Sequence, residues 1–117
     1  MNDRELLELA AKAAGYQVDT GFADCPLIFG EDAGHDGPRE WNPLEDDGDA
    51  LRLAAVIPAC VVIDGDMKWC GVHLHGSRGK YDLVEPMGDD PCAATRRAIV
   101  RAAAEIGKKM EEKEDEQ

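Results

Sequence analysis

A chain of 117 residues holds enough material for one domain with its own core and too little for two of ordinary size. Its 25 acidic residues against 13 basic ones leave a formal net charge of -12, which excludes a bulk electrostatic affinity for nucleic acid or for an anionic membrane surface. No stretch approaches the roughly 18 apolar residues of a membrane span, and MNDRELLELAAKAAG has no apolar segment behind a basic start, so a soluble, unsecreted chain is expected.

The first helix is expected over residues 3 to 14, capped by Asn2 or Asp3 and stopped by Gly15. Leu6, Leu7, Leu9, Ala10, Ala13 and Ala14 would share its apolar side, and Glu8 and Lys12 would pair on the wet side. The pieces YQVD and PLIF read as short edge strands, and GEDAGHDGPRE as a flexible loop. Residues 17 to 49 contain ten acidic side chains and one basic, Arg39, so most of the charge excess sits there.

The stretch EWNPLEDDGDALRLA has oxygen-bearing residues in a row, but as a calcium loop it puts Gly48 at the fourth position and apolar residues where the later ligands belong. The spacing suits a helix start. Asp46 or Asp47 serves as N-cap, Asp49 lies in the first turn, Ala50, Leu51, Ala54 and Ile57 face the core, and Pro58 ends the helix. Trp41 and Leu44 dock on that core while Asn42-Pro43 makes the turn into it.

Next, ACVVID, GD and MKWCGVHLH read as two strands joined by a two-residue turn at Gly65 and Asp66. That register sets Asp64 against Met67, Val62 against Trp69 and Val61 against Cys70. A second hairpin through GSRG sets His75 against Lys80 and His73 against Asp82. One sheet face then carries Ala59, Val61, Ile63, Cys70, Val72, Leu74, Tyr81 and Leu83, and is the core face. The other carries Cys60, Val62, Met67, Trp69, His73, His75, Lys80, Asp82 and Val84.

The last helix opens at Asp90-Pro91 and continues through CAATRRAIVRAAAEIGKKM. Its expected apolar stripe is Cys92, Thr95, Ile99, Ala102, Ala103, Ile106 and Met110, with Arg97, Arg101 and Lys108 as a ridge on the far side. Residues 1 to 110 are thus expected to form one domain, and 111 to 117, EEKEDEQ, an acidic tail that is either disordered or a frayed helix end. The fold class expected is α+β: an antiparallel meander of three to five strands packed by helices in two or three layers.

The chain carries no nucleophile elbow, phosphate-binding glycine loop or dinucleotide fingerprint. Cys25, Cys60, Cys70 and Cys92 lack a C-x-x-C spacing, so reduced thiols in a cytoplasm are expected, with Cys92 as a small buried residue. His73 and His75, with Asp82 across the ladder, form the single metal-like constellation, for which a polar sheet face with a His-Asp pair is the simpler reading. No cofactor or metal is called for. Candidate partner-binding residues are Met67, Trp69, His73, His75, Arg97 and Arg101, because aromatics and Met are enriched where proteins meet and an arginine ridge suits carboxylates. Glu45, Asp46, Asp47 and Asp49 are the candidate acidic surface.

WNPLEDDGDALRLA, the meander after it, and DDPCAATRRAIVRAAAEIGK together resemble the small bacteriophage proteins of the phage ABA-sandwich domain, and the layout is similar to that of the phage NinX-like proteins. The resemblance implies a phage or prophage origin and a sheet with helices on both sides; it brings no reaction and no functional residues. The reading it supports is a non-enzymatic accessory protein of the bacterial host cytoplasm that binds, and in one version inhibits, a host or phage protein. Direct contact with nucleic acid or membrane is not expected, and the oligomeric state stays open. Two alternatives are an acidic mimic of nucleic acid that blocks a DNA- or RNA-binding host protein, and a metal-dependent enzyme using His73, His75 and Asp82.

Overall fold

In the computed structural model the described residues are 2–19, 26–28, 39–75 and 81–115. Helix α1 (Asp3–Ala14) starts where the Asn2 side chain accepts from the Glu5 N–H, and ends where Gly15, at φ 78°, returns its own N–H to the Lys12 carbonyl. Leu7, Ala10 and Ala11 form its buried side; Ala11 lies outside the expected stripe. Glu8 pairs with Arg4, one turn before it, while Lys12 reaches across to the last helix.

Three two-residue strands follow, β1 (Val18–Asp19), β2 (Leu27–Ile28) and β3 (Arg39–Glu40), in an antiparallel sheet of that order. The first two fall within the expected segments YQVD and PLIF; β1 is an edge strand as expected, whereas β2 is the middle strand, paired on both sides. The third occupies the end of the expected loop, whose residues 30–38 lie outside the described residues. Trp41, at 1% exposure, is held by its N–H on the Pro26 carbonyl and by an edge-on contact with Tyr16 at 5.5 Å.

Helix α2 (Asp47–Val56) is capped by Asp46, which accepts from the Asp49 N–H at 2.8 Å. Its buried apolar residues are Ala50 and Leu53, with Ile57 just past its end; Leu51, expected inside, is 71% exposed. Leu51 falls one residue away from the Ala50–Leu53–Ile57 stripe, and the helix turns only that stripe inward.

The second sheet is a meander of β4 (Ala59–Asp64), β5 (Trp69–Leu74) and β6 (Leu83–Pro86), all antiparallel. Asp64 stands opposite Trp69 and Val61 opposite Val72, so the first turn has four residues rather than the expected two. The physical reason is the Asp64 carboxylate, which accepts from the N–H groups of Asp66 and Met67 at 3.1 and 3.0 Å. Lys68, at φ 61°, closes the turn left-handed, while Gly65 stays out of the positive-φ region that a two-residue turn would demand. Because the slip is two residues, each side chain keeps its face. Val72 is fully buried and His73 is half-exposed, as the alternation requires. The second register, with Val72 opposite Leu83, lies on the expected diagonal. Lys80 and its expected pairing with His75 lie outside the described residues.

Helix α3 (Pro91–Asp115) begins at Asp90, whose carboxylate accepts from the Ala93 N–H at 3.1 Å. Residues 111–115, expected as a disordered tail or a helix end, continue the helix, and Lys12 of α1 pairs with Glu114 at 2.7 Å and Glu111 at 3.8 Å. Two sides of α3 are buried. Val100 and Ala103 join the core with α1, α2, Ile28 and Trp41, whereas Ala98 and Ala102 pack under Cys70, Val72 and Leu74 of the sheet. The contacts Asp3–Arg97, Leu9–Gly107 and Lys12–Glu114 advance together along both helices, so α1 and α3 run parallel. At the middle contact an added Cβ on Gly107 would lie 2.0 Å from the Leu9 carbonyl oxygen, which makes Gly107 the point where the backbones touch.

The chain is therefore an α+β domain whose core layers are the meander, α3 and α1. All three helices contribute to the clusters on the Val61–Val72 side of the meander. The arrangement of helices on both sides, implied by the resemblance, is not the one seen among the described residues. No described helix is long and apolar enough to cross a membrane.

Candidate functional site

The side of the meander turned from the helices carries the most chemically distinctive surface. Trp69 on β5 and Tyr81, just before β6, meet edge to face with ring centroids 5.0 Å apart. Gly71 lies beneath them: a Cβ there would fall 2.8 Å from the Trp69 ring and 2.9 Å from the Tyr81 ring, so the missing side chain is what lets the rings settle on the strand. Lys68, Val84 and Pro86 complete a shallow depression around the pair. Val84 is 51% exposed, and Met67, on the neighbouring turn, is 71% exposed.

Tyr81 is a correction to the sequence reading, which placed it on the core face. Val72 faces Leu83 in the ladder, yet its carbonyl also accepts from the Asp82 N–H at 2.8 Å, so two residues share one partner position. A bulge of this kind breaks the alternation just before β6 and puts Tyr81 with Trp69. The legible signal was W-C-G at 69–71: a glycine inside a strand, two residues from a tryptophan, marks a close approach.

The two histidines separate. His73 is on this face, its Nδ1 buried without a hydrogen-bond partner and 3.8 Å from Asp82 Oδ2, which itself accepts from the Leu74 N–H at 2.7 Å. His75 lies past the strand end, beside Lys109 and Lys113 of α3. Among the described residues no three His, Cys, Asp or Glu side chains are grouped to hold a metal ion, so the ligand set of the metal-dependent alternative is not assembled there.

The expected arginine ridge is also divided. Arg97 pairs with Asp3 of α1 at 3.3 Å, whereas Arg101 is bound to Glu85 of β6. These two side chains tie α3 to different neighbours, α1 and β6, and both remain partly exposed. Arg96, unremarked in the sequence, donates to the Leu44 carbonyl at 2.8 Å and to Asp47 at 2.6 Å, fastening α3 to the start of α2.

The candidate acidic surface is partly consumed by structure. Glu45 and Asp46 are exposed, with Asp46 acting as the cap, and Asp47 is engaged by Arg96. Asp49 is not surface at all, being 3% exposed. Its carboxylate accepts from Arg52 at 2.8 Å, Arg39 at 3.0 Å and the Asn42 N–H at 3.0 Å, which joins β3, the Asn-Pro turn and α2. Burial works against its charge, but the hydrogen bonds from Arg52, the Asn42 backbone and Arg39 prevail and hold the carboxyl below the ordinary aspartate range. Asp49 is thus a structural junction, which its place beside three acidic neighbours, Glu45, Asp46 and Asp47, concealed.

Cys92, expected buried, is exposed at the first turn of α3, and Cys60 is exposed on β4. Among the described residues Cys70 is the buried thiol, its pKa raised by burial. No family model, curated protein or solved structure matches this chain.

Proposed function

We propose that this is a small acidic accessory protein of bacteriophage or prophage type, without catalytic chemistry of its own, that docks a host or phage protein in the bacterial cytoplasm and inhibits it. The observation that carries the reading is the aromatic face of the meander: Trp69 and Tyr81 stacked over Gly71, with Val84 and Met67 open to solvent beside them. Rigid aromatics with an adjacent methionine offer large contact area at small entropic cost, which is the composition of interface centres. The net charge of -12 supports a basic partner and disfavours nucleic acid as the direct ligand.

Affinity capture from a bacterial lysate tests this, using the wild type beside Met67→Asp and Val84→Asp. Both substitutions are at exposed positions outside the core clusters, and circular dichroism confirms that each variant folds. The expected result is one protein held by the wild type and lost by both variants, whose own activity falls when the wild-type chain is added at equal concentration. A partner retained by both variants removes the face from the reading, and the absence of any partner removes the reading.

A further inference from the structure

Of the two margins of the second sheet, one is guarded. β6 has four residues, ends in Pro86, which has no N–H to offer, and carries Glu85 bound to Arg101. β4 has six residues, pairs among the described residues only with β5, and runs Ala-Cys-Val-Val-Ile before its first charge at Asp64. The ladder identifies its spare backbone groups. The His75 N–H donates to the Pro58 carbonyl at 2.8 Å, which makes 58 and 75 a hydrogen-bonded pair on the diagonal of the β4–β5 register. Bonded and non-bonded pairs alternate along an antiparallel ladder, so Cys60, Val62 and Asp64 turn their amides toward β5, and Ala59, Val61 and Ile63 turn theirs outward. The Ala59 N–H is occupied by the Ile57 carbonyl at 2.9 Å. The N–H groups of Val61 and Ile63, and the carbonyls of Ala59 and Val61, have no partner among the described residues.

These four groups are self-complementary. With a two-fold axis through Val61, each Val61 N–H meets the Val61 carbonyl of the other copy, and each Ile63 N–H meets the other Ala59 carbonyl. The same register lays Ala59, Val61 and Ile63 of both copies on one side. On that side, beside β4, lies an apolar groove between α2 and α3 lined by Leu51, Ile63, Cys92 and Ile99. Leu51 and Ile63 are 71% and 58% exposed, and the seam would bring both grooves together.

We propose that β4 is the seam of a homodimer in which two copies pair antiparallel about Val61 and join their sheets into one. A second copy fits better than a foreign peptide for two reasons. Both spare donors find spare acceptors on the other copy in this symmetric register, and Asp64 falls opposite Pro58 of the second copy, so two chains of charge -12 do not set like charges against each other at the seam. The aromatic face points away from this edge and stays open, which makes the proposal independent of the docking function.

Amide hydrogen exchange of the full wild-type chain, followed by NMR from about 10 μM to about 1 mM, reads the seam without any substitution. The Val61 and Ile63 amides should slow by about tenfold or more over that range while Cys60 and Val62 stay protected throughout, and sedimentation equilibrium should give twice the monomer mass at the upper end. Ile63→Pro removes one donor per copy without touching the β5 ladder and should raise the dissociation constant by about tenfold or more. A monomer at every concentration, or a dimer in which Val61 and Ile63 exchange as fast as in the monomer, overturns the proposal.

Discussion

Gly107→Ala tests the seam between α1 and α3 by a change whose local and tertiary effects have opposite signs. Gly107 sits inside a 25-residue helix, where exchanging Gly for Ala ordinarily stabilises by about 1 kcal/mol through backbone entropy. At this position the new methyl would stand 2.0 Å from the Leu9 carbonyl oxygen and 2.8 Å from its carbon, both backbone atoms that cannot rotate away. Relief requires α1 to retreat by roughly 1 Å, and a gap of that size forfeits a quarter to a half of each dispersion contact along the Leu7–Ala10–Ala11 seam. Overpacking of this kind costs about 1 to 3 kcal/mol, at times more, so a gross cost of about 3 offset by the propensity gain leaves a net loss of about 2 kcal/mol. For a domain of this size that lowers the melting temperature by about 8 °C. The assay is urea and thermal unfolding by circular dichroism, with Lys108→Gly at the exposed neighbouring position as control, expected to cost about 1 kcal/mol by propensity alone. A Gly107→Ala variant as stable as the wild type, or stabilised by about 1 kcal/mol, would refute the close approach of the two backbones.

The other expectations concern the junction, the turn and the aromatic face. Asp49→Ala orphans the Asn42 N–H and releases Arg39 and Arg52, and should cost about 2 to 3 kcal/mol in urea unfolding. Because the Asp49 carboxyl is held below its unfolded value, its contribution is complete above the ordinary aspartate range and is lost as pH falls through the lowered folded value; the wild type should therefore lose its advantage over Asp49→Ala on acidification below about pH 4, and a constant difference down to pH 2 would contradict the assignment. Lys68→Gly relieves a left-handed non-glycine residue and should stabilise by about 0.5 to 1 kcal/mol in the same unfolding assay, a loss of stability arguing against the four-residue turn. Gly71→Val drives a side chain between the Trp69 and Tyr81 rings and should change Trp69 fluorescence and its access to iodide while Trp41 stays shielded; an unchanged spectrum would mean the rings do not rest on the strand.

Local chemistry was sufficient for much of this molecule. Asn2 and Gly15 bound the first helix, Asp46 and Pro58 the second, and Asp90-Pro91 starts the third, because each acts on backbone groups within a few residues. The two faces of the meander were legible as well, since alternation survives an error of two residues in a turn. What the sequence could not express were contacts between distant segments. Glu85 and Arg101, Asp3 and Arg97, and Lys12 and Glu114 look like solvated charges until α3 is laid between α1 and the sheet. That placement prolongs the last helix into an acidic segment and requires Gly107 to have no side chain, while the approach of β3 and the Asn-Pro turn to α2 makes Asp49 a junction. Residue type and spacing decide where hydrogen bonds close over one turn. Which backbone approaches which, and hence which charges find partners, is set only when the layers meet.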